Sequence, residues 1–379
     1  MKFLQQETTL THSNTSTPPR RQFLKSAVGT GLAAVGGLAG AQSFDFKPNQ
    51  RYPDPAVLIL DPSFTKYRIY SSTVEQLGTG MRWAEGPAYF PEGGYLLLSD
   101  IPNNRLMKFD EKTGKFSVHK TGVNYTNGNV CDRQGRLVSC EHSVTRRVVR
   151  TEKDGRITVL ADRFEGKRLN APNDIVVKSD DSIWFTDPTF GINGEWEGSR
   201  AKPEQDTTNV YRIGKDGQIT AVIRDLVNPN GLAFSPDEKK LYVVEWKGTP
   251  NRSIWSYDVG DDGVTLSNKT KLIDADGPGA LDGFRVDRDG NLWCGWGYSG
   301  ALASEPTDIG GGMKAYLPVA KSEDMDGVKV FNSQGKPIGF IRLPERCANL
   351  AFGGPKRNRL YMTSSHSLYA LYVETHAAV

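Results

Sequence analysis

Four side chains could do chemistry together although they are far apart in the chain: Glu85, Asn173, Asn230 and Asp282. Each stands just before a short run of strand-forming residues, at the same point of a recurring unit. Their functional groups are all oxygen donors, two carboxylates and two amides. Hard cations such as Ca²⁺ and Mg²⁺ prefer that donor set, whereas softer metals favour thiolates and imidazoles. An Asn or Asp before a strand can also cap a turn, and that explanation suffices for any one of the four. It accounts less well for four of them recurring in one register.

The units that must position these residues run from about residue 74 onward. Each pairs two β-rich runs across a turn containing Asp, Gly, Asn or Pro, which is a hairpin signal. Examples are residues 129–140, 174–187, 231–244 and 283–294. A third strand follows in several units, as at 209–213 and 253–257. Aligning the units on the polar residue before the first strand gives Glu85, Asn127, Asn173, Asn230, Asp282 and Asn349, at intervals of 42, 46, 57, 52 and 67 residues. A period in this range with about four short strands reads as propeller blades, and six starts predict an all-β, six-bladed β-propeller with a central metal site. The innermost strand of each blade lines the channel, so equivalent positions converge there. The last unit is short, and the strand near 74–79 is expected to complete its sheet and close the ring, which removes exposed edges.

The chain has 379 residues, of which 37% are hydrophobic and 24% charged, so it can build a sizeable core. Its 40 glycines and 21 prolines fit many turns. A net charge of +3 with both signs dispersed gives no electrostatic case for nucleic acid. Cys131, Cys140, Cys294 and Cys347 form no CxxC pair, have no histidine at zinc-site spacing, and read as free thiols in strands. No Gly-X-Ser-X-Gly elbow, phosphate loop or dinucleotide fingerprint occurs.

The organisation predicted is a signal over 1–41, a lead-in over 42–73 packed outside the ring, and the propeller over 74–379. Arg20 and Arg21 precede a modest, Gly-rich apolar stretch, and Ala39-Gly40-Ala41 offers a cleavage site. This resembles a twin-arginine signal and implies export by that machinery to the periplasm or beyond. The stretch is too short for a stable membrane span, so no stable membrane association is expected. Insertions at 191–207 and 297–326 are expected to be loops shaping a mouth of the channel.

Ala-Glu-Gly-Pro (84–87), Ala-Pro-Asn-Asp (171–174), Pro-Asn-Gly-Leu-Ala-Phe-Ser-Pro-Asp (229–237), and Leu-Asp-Gly-Phe-Arg-Val-Asp with Gly-Asn-Leu-Trp (281–293) are each short. In this order and at these separations they are specific, and over residues 75–373 the chain resembles the SMP-30/gluconolactonase family, also called the regucalcin family. The resemblance implies a six-bladed propeller with one catalytic divalent ion, Ca²⁺ first, with Mg²⁺, Mn²⁺ and Zn²⁺ as alternatives. It implies that Glu85, Asn230 and Asp282 are direct ligands and that Asn173 lies beside the metal, as a ligand or as a contact to substrate or water. Asp174 assists in some relatives or caps its turn.

The activity implied is hydrolysis of a small sugar-type lactone, with Asp282 as general base for an attacking water. The alternatives are a hydrolase of other lactones or of organophosphate esters on the same site, or a non-catalytic calcium-binding propeller. A strictosidine-synthase-like propeller fits the motifs less well. His142 resembles a position often seen in bacterial members and is a candidate substrate contact. One departure stands out. Animal members carry a sugar-binding arginine two residues before the channel asparagine; here that position is Ala171, and Arg168 is out of register. Phe190, Trp246, Trp296 and Tyr298 are candidates to line the mouth or simply to pack.

Overall fold

A computed structural model describes residues 46–246, 252–275 and 277–378. The predicted signal, with Arg20 and Arg21, lies outside the described residues. The fold is a six-bladed β-propeller, and in each blade the strands run antiparallel from the channel outward. The innermost strands are Ala84–Phe90, Thr126–Cys131, Ile175–Val177, Pro229–Phe234, Gly279–Val286 and Cys347–Gly353 for blades 1 to 6. Blade 6 is completed by Glu75–Thr79, which pairs with Ser367–Tyr372 and ties the two ends of the chain together. Blade 5 carries a fifth, outermost strand, Val57–Ile59, from the lead-in segment. Among the described residues no helix is long and apolar enough to cross a membrane.

The turns explain why the hairpins form where the sequence places them. Asp132 Oδ1 accepts from the amides of Gln134 and Arg136, and Asp287 and Asn332 do the same two and four residues ahead. Each side chain thus mimics a backbone turn. A Gly follows three residues later in each case, at positive φ: Gly135, Gly290 and Gly335.

Six apolar clusters hold the ring, one at each contact between neighbouring blades. Alternation along the strands produces them, because each sheet turns one set of side chains to each neighbour. The contact between blades 5 and 6 centres on fully buried Trp293, whose ring lies 5.7 Å from Phe64, 6.3 Å from Tyr67 and 5.7 Å from Phe352. Phe64 and Tyr67 belong to the short 3-10 helix Pro62–Tyr67, so the lead-in is docked on the ring as well as paired to it. The contact between blades 1 and 2 is the smallest, with Ala88, Phe90 and Leu97 at its centre.

Candidate active site

The innermost strands kink where the polar residues sit. Pairing slips between Glu85 and Ala88, Thr126 and Asn129, Pro229 and Leu232, Leu281 and Phe284, and Cys347 and Asn349. Such bulges re-aim a side chain out of the sheet's regular alternation. In four blades the channel residue is followed by Gly, as Glu85-Gly86, Asn127-Gly128, Asn230-Gly231 and Asp282-Gly283. Two of these show why. Gly86 has φ +50°, and a Cβ there would lie 2.0 Å from the Asn127 carbonyl oxygen. A Cβ on Gly231 would lie 2.7 Å from the Asp282 carbonyl oxygen. Side chains are excluded so that neighbouring inner strands can close around the channel.

All six channel residues are buried. Asn230 Nδ2 donates to Asp282 Oδ1 at 2.7 Å, joining blades 4 and 5 and turning the Asn230 carbonyl oxygen away from Asp282. Arg346, in the loop before blade 6, donates through Nη2 to Asp282 Oδ2 at 2.9 Å. Glu85 Oε2 accepts from the Gly86 amide at 2.9 Å. Burial, then the nearby charges of Asp282 and Asp174, raise the proton affinity of Glu85 well above the usual carboxylate range, while the Gly86 amide and the Asn349 side chain oppose this. Burial also raises Asp282, against the pull of Arg346 and Arg252. Two carboxylates from blades 1 and 5 thus share one desolvated space, an arrangement relieved by a proton or by a cation.

The donor set fits a hard divalent ion: two buried carboxylates and two buried amides. Among the described residues no group of three or more His, Cys, Asp or Glu side chains could hold a metal. A cation here therefore needs the amide oxygens as well as the two acids.

Asn173 comes from a braced loop. Its amide donates to the Thr186 carbonyl at 2.8 Å, and its carbonyl accepts from Gly128 at 2.7 Å. Its side-chain amide makes no hydrogen bond among the described residues. Three side chains hold the residues before it. Asp187 accepts from the amides of Asn170 and Ala171, both at 2.8 Å. Arg146 Nε donates to the carbonyls of Leu169 and Asn170 at 2.8 and 2.7 Å. His142 Nδ1 lies 2.9 Å from the Pro172 carbonyl. Asp187 is fully buried, and burial pushes its carboxyl up to about 7 despite the two amide donors.

His142 is buried behind Asn173. A carbonyl only accepts, so Nδ1 carries a proton and Nε2 faces Glu197 Oε2 at 3.4 Å. Asp174 turns to its own strand and down the channel: Oδ1 accepts from the Ile175 amide at 2.9 Å, and Oδ2 lies 3.4 Å from Arg285 Nη1. Ala171 is fully buried, and Arg168 donates to the carbonyls of Val144 and Thr145, at 2.8 and 3.1 Å. Trp296 belongs to the core between blades 4 and 5. Phe190 packs edge-to-face on Trp246 at 5.5 Å, and the Tyr298 hydroxyl is held by the backbone of its own insertion.

Both insertions connect the second and third strands of their blades, which is the end of the channel where Glu85 and Asp282 sit. The 191–207 segment includes Glu197, close enough to add repulsion at Asp282. The 297–326 segment carries a small hairpin, Thr307–Gly310 with Met313–Ala315. At the opposite end the channel opens into an apolar cavity of about 550 Å³ lined by Ala88, Val130, Ile175, Ala233, Val286 and Ala351. Glu85 and Asp282 are absent from its lining, whose charged residues include Asp132, Arg133, Glu238 and Arg285. The four cysteines are free, and Cys140, Cys294 and Cys347 are buried.

Arg346, Arg252, Glu197 and Asp187 are the site residues that sequence reasoning missed. Only Asp187 had a local signal, as the polar end of the apolar strand Ile183–Asp187.

The sequence profile of the SMP-30/Gluconolactonase/LRE-like region matches residues 83–366. A gluconolactonase from Zymomonas mobilis is 28% identical over 327 residues, covering 80% of this chain and 82% of its own. A pentonolactonase from Haloferax volcanii is 24% identical, covering 76% and 83%. Among solved structures, a gluconolactonase from Xanthomonas campestris superposes with a TM-score of 0.71 at 33% identity, covering 84% of this chain and 94% of that one.

Proposed function

The chain belongs to the SMP-30/gluconolactonase family and is a lactonase acting on sugar-type lactones, and from that premise we propose that hydrolysis occurs at one divalent cation, Ca²⁺ first, held by Glu85, Asn173, Asn230 and Asp282. One observation carries the metal reading. Glu85 and Asp282 are buried in one space, and while Arg346 pairs with Asp282, Glu85 has no cationic partner among the described residues. A buried carboxylate without a cation is costly, and a divalent ion beside Glu85 and Asp282 would supply one.

When bound, such an ion polarises the lactone carbonyl and stabilises the developing oxyanion. The protein's own groups do the rest. Asp282 accepts the proton of the attacking water at a carboxylate oxygen. Asn230 and Arg346 hold that carboxylate in place from two sides. Burial keeps Asp282 more basic than an exposed aspartate, and the two arginines limit the gain. Asn173 offers an unengaged amide to a substrate hydroxyl or carbonyl. His142 holds the loop that presents it through Pro172, and Nε2 with Glu197 borders the same mouth. Collapse of the tetrahedral adduct breaks the bond from the acyl carbon to the ring oxygen, and the proton held on Asp282 passes to that oxygen, giving the hydroxyl of the aldonic acid.

We also infer, from the sequence alone, that residues 1–41 are a twin-arginine-type signal read through Arg20 and Arg21, so that the enzyme works in the periplasm or outside the cell.

The test is a pH-indicator assay on a panel of sugar lactones after chelation and after restoring calcium, magnesium, manganese or zinc singly. Turnover that disappears on chelation and returns with one ion supports the reading. Full turnover in thoroughly chelated protein refutes the role of the cation.

A further inference from the structure

Two arginines meet at the active mouth, and only one carboxylate answers both. Arg346 reaches Asp282 Oδ2 at 2.9 Å, and its Nε is buried with no hydrogen-bond partner. Its passage is built in: a Cβ on Gly297 would lie 2.4 Å from Arg346 Cγ. Its guanidinium lies 5.8 Å from the ring centre of Trp83. Arg252 heads the strand Arg252–Val259 at the same end of the channel. Its Nη1 donates to the Leu281 carbonyl at 3.1 Å, and its guanidinium lies 5.2 Å from the centre of the Trp246 ring. Burial pulls the proton affinity of Arg252 down to about 9, and the neighbouring charge of Arg346 adds to this while Asp282 opposes it. Arg252 forms no ion pair of its own among the described residues.

Arg252 is thus a desolvated cation whose hydrogen bond goes to a neutral carbonyl. Arg346 has a second carboxylate nearby, Asp326, whose Oδ1 accepts from the Tyr298 amide at 3.2 Å, whereas Arg252 has only Asp282 among the described residues. Glu197 stands further off, beside His142 Nε2 at 3.4 Å. Uncompensated buried charge is costly and marks a site where a ligand brings the missing partner. A guanidinium presents a planar fork of donors that matches a carboxylate or a phosphate, and Arg346 uses one arm, Nη2, on Asp282 while its Nε has no partner.

We propose that the substrate of this site is a sugar lactone carrying a further anionic group, a carboxylate or a phosphate, and that Arg252 and Arg346 receive that group. The proposal rests on the lactonase reading and narrows it. Arg252 is then a specificity-determining residue, because its gain is made with the remote anion and not with the reacting ester.

The experiment compares kcat/KM for glucarolactone, for gluconolactone phosphorylated on its terminal hydroxyl, and for gluconolactone itself, in the wild-type protein, Arg252→Gln and Arg252→Lys. In parallel, calorimetry measures binding of glucarate and of gluconate to the chelated and the ion-loaded protein. The wild type is expected to favour one anionic lactone by about 10- to 100-fold, mainly through KM, as a charged hydrogen bond would give. Arg252→Gln brings that ratio toward one, and Arg252→Lys restores part of it. A preference for glucarolactone identifies a carboxylate, and one for the phosphorylated lactone a phosphate. If glucarolactone is the preferred substrate, glucarate binding shows the same Arg252 dependence. Equal kcat/KM for all three lactones in the wild type overturns the proposal, and so does an equal loss on all three in Arg252→Gln. Failure of the lactonase reading looks different: no lactone turns over, yet glucarate binds with its Arg252 dependence intact.

Discussion

Asp187→Asn separates the two things this buried carboxylate does. It anchors the amides of Asn170 and Ala171, both at 2.8 Å, and it places a titrating group inside the protein. Its folded value of about 7 lies above the unfolded aspartate value of about 3.9. At low pH both states are protonated and the group is neutral in effect. As pH rises, the unfolded state ionises first, so stability falls until the folded state ionises near 7. From pH 5 to pH 8 the loss is about 3 kcal/mol.

Asparagine lacks this titration but offers one acceptor oxygen where the carboxylate offers two. One of the two amides then faces an NH₂ group, at a cost of about 1–3 kcal/mol that is constant with pH. The assay is denaturant unfolding of chelated wild-type and variant protein at several values between pH 5 and 8. The variant is expected to gain on the wild type by about 3 kcal/mol across that range. Its kcat/KM is expected to fall by about tenfold to a hundredfold at every pH, because the loop carrying Asn173 shifts. Stability curves that stay parallel would refute the reasoning about the buried carboxyl. Unchanged activity would refute the anchoring role.

Asp282→Ala and Glu85→Gln should each abolish the rise in melting temperature caused by the divalent ion and lower kcat by at least about 10²-fold; full turnover in both would remove them from the site. Gly231→Ala puts a Cβ 2.7 Å from the Asp282 carbonyl oxygen and 2.9 Å from Gly283 Cα, both backbone atoms, and should cost about 1–3 kcal/mol together with activity, read by thermal melting and the lactone assay. Trp293→Ala opens the contact between blades 5 and 6 and should cost about 3–5 kcal/mol by denaturant unfolding, with the lead-in around Phe64 becoming the earliest site of limited proteolysis.

The propeller was legible because its signals are local. The turn at Asp132–Gly135 and its counterparts at Asp287–Gly290 and Asn332–Gly335 bond within five residues, so they can be read in a line of sequence. The polar unit starts were legible because the fold repeats. Their common register turns six distant positions into one ring. The fifth strand of blade 5 was not legible, since Val57–Ile59 has three residues and is a strand only because Gly339–Ile341 lies beside it. Arg346 and Arg252 were hidden for a related reason. Arg346 meets Asp282 across 64 residues and Arg252 meets Leu281 across 29, with no periodicity linking either pair. Trp296 shows the limit from the other side: an aromatic near a mouth insertion reads the same whether it faces substrate or, as here, fills a core.

The pairing of Glu75–Thr79 with Ser367–Tyr372 has a consequence for how the molecule is made. Thr79 and Ser367 touch across 288 residues of chain. At ribosomal rates of about 5–20 residues per second, the early strand waits on the order of tens of seconds for its partner to be synthesised. Throughout that interval blade 6 does not exist, and an arc of finished blades has two unpaired flanks. Closure of the ring therefore waits for residues 367–372, and until then the arc exposes sheet edges that the closed ring removes. A circular permutant that begins near residue 345, with the present ends joined, would synthesise the three inner strands of blade 6 first and move the late closure to the contact between blades 5 and 6.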